Sequence, residues 1–89
     1  MIFKHLGIAD AQPVSGGCIH RCYRANLKGR RVFLKVNGAG FADAFAAEAD
    51  GLAALRAAGC RAPEPVSHGG SGAESYLLME FLELKSRGD

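Results

Sequence analysis

The sequence predicts an α+β domain: a small antiparallel β-sheet of about five strands with one main helix packed on it. Three observations carry the prediction. Residues 18–27 and 31–37 alternate as two strand arms, with a turn signal at Asn26-Leu27-Lys28-Gly29 between them. Residues 41–58 form an alanine-rich stretch of helical period, and residues 75–82 are a further apolar, strand-like run. With 89 residues the chain makes one domain at most. It can bury roughly 60% of its unfolded surface, enough for one sheet and one helix.

In chain order, Gln12-Pro13-Val14 leads into Ser15-Gly16-Gly17. In the first arm Arg21, Tyr23, Ala25 and Leu27 share a face. In the second arm Val32, Leu34 and Val36 lie on one side, while Phe33 and Lys35 lie on the other. Asn37-Gly38-Ala39-Gly40 breaks the strand. The helix follows over 41–58, ended by Gly59 and kept from continuing by Pro63 and Pro65. At 100° per residue, Phe45, Ala49, Leu52 and Leu55 form one stripe, and Asp43 and Asp50 project from the other side. Residues 63–68 read as a short edge strand, Gly69-Gly70-Ser71-Gly72 as a flexible turn, and 75–82 as the last strand. A domain over 1–82 with a polar tail over 83–89 is the expected organisation.

Composition excludes several classes. With 48% hydrophobic and 22% charged residues, the chain is neither collagenous, acidic-disordered nor a disulfide scaffold. No apolar run approaches the ~20 residues of a membrane span, and the start lacks a signal-peptide core, so the cytoplasm is the expected compartment. Three cysteines without CxxC spacing read as reduced thiols. Extended chain would hold Cys18 and Cys22 ~13 Å apart, too far for a bridge. His5, His20 and His68 form no ligand spacing with a cysteine, and are read as surface or satisfied histidines.

Two charges stand where a core should be. Lys35 sits within Val32-Phe33-Leu34-Lys35-Val36, and Glu48 falls inside the apolar stripe of the helix, one turn from Phe45 and one from Leu52. Buried charges are costly unless paired, so each makes the other intelligible. With the Ser15-Gly16-Gly17 loop upstream, the pattern suggests a nucleotide-phosphate clamp. The net charge of +2 is uneven: residues 1–37 carry seven basic groups against Asp10, and residues 38–89 carry four basic and eight acidic groups. A positive field near the glycine loop suits a nucleotide triphosphate or nucleic acid. A solvated strand face explains most of the arginines equally well.

These elements, in this order, resemble the N-terminal lobe of the protein-kinase-like fold, and more closely that of the fructosamine (ketosamine) kinase family. The resemblance runs through Val14-Ser-Gly-Gly-Cys-Ile19, Val32-Phe-Leu-Lys-Val36, Phe45-Ala-Ala-Glu-Ala-Asp-Gly-Leu52, Ala62-Pro-Glu-Pro65 and Leu78-Met-Glu-Phe-Leu82, covering nearly the whole chain. Ser-Gly-Gly is less than a full G-x-G-x-x-G, and the weight lies in five motifs in the correct order and spacing.

The resemblance implies an ATP site. Backbone N–H groups of Ser15, Gly16, Gly17 and Cys18 would approach the phosphates, which a Cβ at the glycines would obstruct. Lys35 would contact the α- and β-phosphates and Glu48 would hold its ammonium. Met79 would border the back of the adenine pocket, Phe33 would supply wall, and the Glu80-Phe81-Leu82 backbone would form the hinge. Taken singly, each has a plainer reading: Lys35 as a snorkelling surface group, Glu48 as solvated, Phe33 and Met79 as core, Gly16 and Gly17 as a hairpin turn. Cys18 is either an oxidisable thiol that ATP protects or a half-buried filler.

The catalytic base and the ligands for Mg2+ would come from a second lobe, since the chain holds no Asp-Phe-Gly or His-Gly-Asp motif. The chain alone is therefore expected to be inactive, with no catalytic residue, and to self-associate, for instance as a homodimer of the isolated lobe. For an intact enzyme the resemblance implies phosphorylation of a sugar hydroxyl on ketoamines, either small molecules or glycated proteins, in deglycation repair. The expected partners exclude nucleic acid and membrane. An aminoglycoside- or choline-kinase-type phosphotransferase is the alternative within the class, and a non-catalytic nucleotide- or nucleic-acid-binding module lies outside it.

Overall fold

The computed structural model describes residues 2–14 and 19–81. Its elements are α1 (Ile2–Leu6), β1 (Ala9–Val14), β2 (Arg21–Leu27), β3 (Arg30–Gly38), a 3-10 turn (Ala39–Phe41), α2 (Ala42–Ala57), β4 (Pro65–Ser71) and β5 (Glu74–Glu80). The expected boundary at 82/83 and the tail lie outside the described residues.

All five strands form one antiparallel sheet of order β1-β2-β3-β5-β4. The two-residue turn Lys28-Gly29 sets the β2–β3 register, because Leu27 pairs with Arg30 and both turn residues take positive φ, 51° and 81°. That geometry matches the right-handed twist of the strands it joins. Pro13 and Pro65 both stand in edge strands, where a missing N–H costs no ladder bond.

The sheet is covered on both faces. On one, Val32, Leu34 and Val36 of β3 pack with Ala25, Tyr76 and Leu78 beneath Ile2 and Ile8. On the other, Leu77 and Met79 of β5 pack with Phe45 and Ala49 of α2, flanked by Phe33, Phe41 and Leu52. This explains the unbroken apolar run in β5: Ser75 to Met79 is buried throughout, with alternate residues feeding the two layers. The buried Ser75 hydroxyl donates to the Gly38 carbonyl at 2.7 Å, fixing the end of β3 where the chain turns into α2.

Helix α2 ends in a Schellman motif. The Cys60 N–H donates to the Leu55 carbonyl (2.9 Å) and the Gly59 N–H to that of Arg56 (3.0 Å), while Gly59 takes φ +89°.

Several expectations need correction. The helix starts at Ala42 after a 3-10 turn, and Leu55, assigned to its buried stripe, is 48% exposed. Gly69, Gly70 and Ser71 belong to β4, and the turn is only Gly72-Ala73. A Cβ on Gly70 would sit 3.3 Å from the Glu74 carbonyl oxygen, and one on Gly69 would touch the Tyr76 hydroxyl at 3.4 Å. The sequence reading assigned neither α1 nor β1. Five residues are too few to show a helical period, and β1 carries a bulge between Ala9 and Gln12, with Asp10 at φ 57°, that destroys alternation.

Candidate functional site

The site is built on the face of the sheet covered by α2. Strand parity puts Phe33 and Lys35 on that face, opposite Met79 and Leu77 of β5. The phase of α2 turns Glu48 towards them from between Phe45 and Leu52. Lys35 Nζ donates to Glu48 Oε2 at 2.6 Å, with the two side chains 22% and 35% exposed. An ammonium has three donors, so pairing with one carboxylate oxygen leaves capacity for an anionic ligand on its open side.

The wall beside the ammonium is apolar. Met79 is buried and lies directly across from Phe33, and the Phe33 ring stacks on Phe81 with centroids 6.4 Å apart and planes 25° apart. Such a surface suits a planar heteroaromatic ring. The strand end is tightly held. The Phe81 N–H donates to the Arg31 carbonyl (3.3 Å), the Glu80 N–H to that of Glu64 (2.8 Å), and the Arg31 guanidinium lies 5.9 Å from the Phe81 centroid. With its N–H so engaged, Glu80 can present only its carbonyl to a ligand. Its carboxylate accepts the Glu64 N–H (3.2 Å) and lies 3.8 Å from Arg56, tying the end of α2 to β5.

Of the eleven residues the sequence nominates, Phe33, Lys35, Glu48, Met79, Glu80 and Phe81 share this region. Ser15, Gly16, Gly17, Cys18 and Leu82 lie outside the described residues. Their flanks are placed: Val14 pairs with Cys22, and Cys22 pairs in turn with Lys35.

Three features escaped the sequence reading. Cys22 is buried on the clamp face, next to Lys35 in the sheet. Strand parity places it there, yet a cysteine flanked by Arg21 and Tyr23 gives no sign of it. His20 packs on Phe41 and Phe45 and meets Asn37. A polar cavity of about 310 Å³ opens between Gln12, Arg24, Asn26, Arg31 and Phe81. Continuing the face beyond Phe33, it offers two guanidiniums, two side-chain amides and the Asp10 carboxylate. Among the described residues no group of three or more His, Cys, Asp or Glu side chains gathers as a metal site, and no helix is long and apolar enough to cross a membrane.

Comparison with known proteins gives a consistent answer. A family model described as fructosamine kinase matches residues 2–89. A probable ketoamine kinase of Synechocystis is 42% identical over 78 residues, which are 86% of this chain and 26% of that protein. The crystal structure of a putative fructosamine-3-kinase from Haemophilus somnus superposes with a TM-score of 0.83 at 28% identity, covering 90% of this chain and 28% of that one. An aminoglycoside-3'-phosphotransferase of type VIII superposes with a TM-score of 0.67, also at 28% identity, over 86% of this chain and 28% of that one. The chain thus spans little more than a quarter of the length of these proteins.

Proposed function

The chain belongs to the fructosamine kinase family, and from that premise we propose that it is the ATP-binding lobe of a kinase that phosphorylates a sugar hydroxyl of ketoamines, small or protein-borne, in a cytoplasmic deglycation reaction. The observation that carries the nucleotide reading is the 2.6 Å pair between Lys35 and Glu48, set at the end of an apolar wall. In this reading Glu48 fixes the direction of the Lys35 ammonium towards the α- and β-phosphates. Phe33, Met79 and Phe81 enclose the adenine, the Glu80 carbonyl and the Leu82 backbone bond its edge, and the Ser15–Cys18 segment supplies amides to the phosphates.

The described residues offer no cage for magnesium. Magnesium ligands, like the catalytic base, are proposed to lie in the rest of a longer protein. The chain by itself binds nucleotide without transferring phosphate, and associates with itself at high concentration; a strictly monomeric sedimentation profile there would count against the latter.

Calorimetric titration of the 89-residue chain with ATP tests the reading: saturable binding that Lys35→Ala weakens about 10–100-fold supports it, and no binding by the folded chain rejects it. The acceptor is tested on the full-length protein with a ketoamine and an aminoglycoside in parallel. The likeness to an aminoglycoside phosphotransferase supports the second acceptor class, and transfer to the aminoglycoside alone would replace the ketoamine assignment.

A further inference from the structure

We propose that His20 is a positioning residue for the Lys35–Glu48 clamp, an inference that rests on the nucleotide-binding reading of that clamp. His20 stands just before β2 and touches both elements that carry the pair. Its ring meets Phe41 edge-on at 5.3 Å and 88°, and Phe45 at 4.8 Å and 50°. Phe45 is only 1% exposed and precedes Glu48 by three residues, less than one turn along the same helix. On the strand side, His20 Nδ1 lies 3.0 Å from Nδ2 of Asn37, two residues beyond Lys35 and of the same parity.

The orientation of the Asn37 amide fixes the roles. Its Oδ1 accepts the Gly38 N–H at 2.8 Å, and its Nδ2 also points at the Ile19 carbonyl, 3.5 Å away. Nδ2 is therefore the donor and Nδ1 of His20 the acceptor, as in the tautomer that carries its hydrogen on Nε2. One side chain thus ties β3, just past Lys35, to α2, just before Glu48. A packing residue would need only the two phenylalanine contacts. The hydrogen bond to Asn37 adds what packing lacks, a fixed direction along the strand that sets how far α2 stands from Lys35.

Two substitutions separate these contributions: His20→Phe keeps a ring against Phe41 and Phe45 and removes the acceptor, whereas His20→Asn keeps an acceptor at the δ position and removes the ring. The first readout, independent of nucleotide, is the acylation rate of Lys35 by an amine-directed ester, mapped by mass spectrometry with exposed Lys28 as the internal standard. His20→Phe is expected to raise the Lys35 rate towards that of Glu48→Gln at constant Lys28 labelling, and His20→Asn, which cuts the tie to α2 instead, to raise it as well. Unchanged Lys35 labelling in folded His20→Phe overturns the proposal.

The second readout is affinity. His20→Phe should weaken ATP binding roughly five- to tenfold, the scale of one net hydrogen bond, with adenosine affinity unchanged and no further loss in a Lys35→Ala background. An equal loss for adenosine and ATP means a merely structural role and also overturns it. Failure of the wild-type chain to bind ATP rejects the nucleotide reading, while the labelling result still decides whether His20 sets the pair.

Discussion

Lys35 Nζ and Glu48 Oε2 meet at 2.6 Å across the gap between β3 and α2, beside the facing pair Phe33 and Met79. The pair is partly exposed to solvent. An ion pair with 22% and 35% of its side chains exposed adds little to folding, about 1 kcal/mol or less. In the proposed nucleotide-binding role, its value lies in a charge held in one direction at the edge of an apolar wall.

Lys35→Ala should therefore lower ATP affinity by about 10–100-fold, the loss of charge-assisted contacts worth roughly 1.5–3 kcal/mol, while moving stability by less than about 1 kcal/mol. Glu48→Gln should give a smaller loss of the same kind, since the ammonium remains but its aim is lost. Calorimetry and urea denaturation on the same samples separate binding from folding. Destabilisation by Lys35→Ala of several kcal/mol would mean that the pair is structural.

The Lys35–Glu48 pair was legible because period and parity are local. Alternation over β3 placed Lys35 with Phe33, and helical phase turned Glu48 inward, both from sequence alone. The two strand arms and the buried run of β5 were legible for the same reason. What escaped was set by tertiary contact. Helix α1 exists because Ile2, with Ile8 just beyond it, covers the sheet face opposite α2. Gly69 and Gly70 read as a turn, yet they sit in β4, beside the Tyr76 ring and the Glu74 carbonyl respectively. Leu55 falls about 80° from Phe45 around the helix, at the edge of the stripe, and is exposed. His20 looked like any scattered histidine, because its partners Asn37, Phe41 and Phe45 are 17 or more residues away.

The end of α2 offers a backbone test. Gly59 at φ +89° closes the Schellman motif, and a Cβ there meets no atom within 4 Å. Any cost of Gly59→Ala is therefore conformational. It should destabilise the chain by about 1–2 kcal/mol, read as a lower urea midpoint with unchanged m-value and ATP affinity. A neutral result would mean that the helix ends otherwise in solution.

Ser75 tests how β5 holds the turn into α2. Its hydroxyl is fully buried and donates to the Gly38 carbonyl at 2.7 Å. Ser75→Ala leaves almost the same volume but strips that carbonyl of a donor, at an expected cost of about 1–3 kcal/mol. Because Gly38 opens the 3-10 turn that delivers α2, amide hydrogen exchange should quicken first at Ala39–Phe41 and in the first turn of α2. Exchange rising evenly over the whole sheet would instead mean that Ser75 contributes only global stability.

Ile2 and Leu55 together test where the core ends. Ile2 belongs to a five-residue helix at the chain start, a position that invites dismissal as a frayed end, yet it is 3% exposed and packed against β2, β3 and β5 residues. Leu55 belongs to the longest described helix, at the edge of the stripe that Phe45 and Leu52 form, and it is 48% exposed. Burial, not element length, sets the cost of truncation. Ile2→Ala should remove about 2–4 kcal/mol through lost transfer energy and the cavity left behind, whereas Leu55→Ala should stay within about 0.5 kcal/mol. Thermal and urea melts of the two variants decide it: an order reversed from this one would mean that α1 is not docked on the sheet and that the face opposite α2 is open.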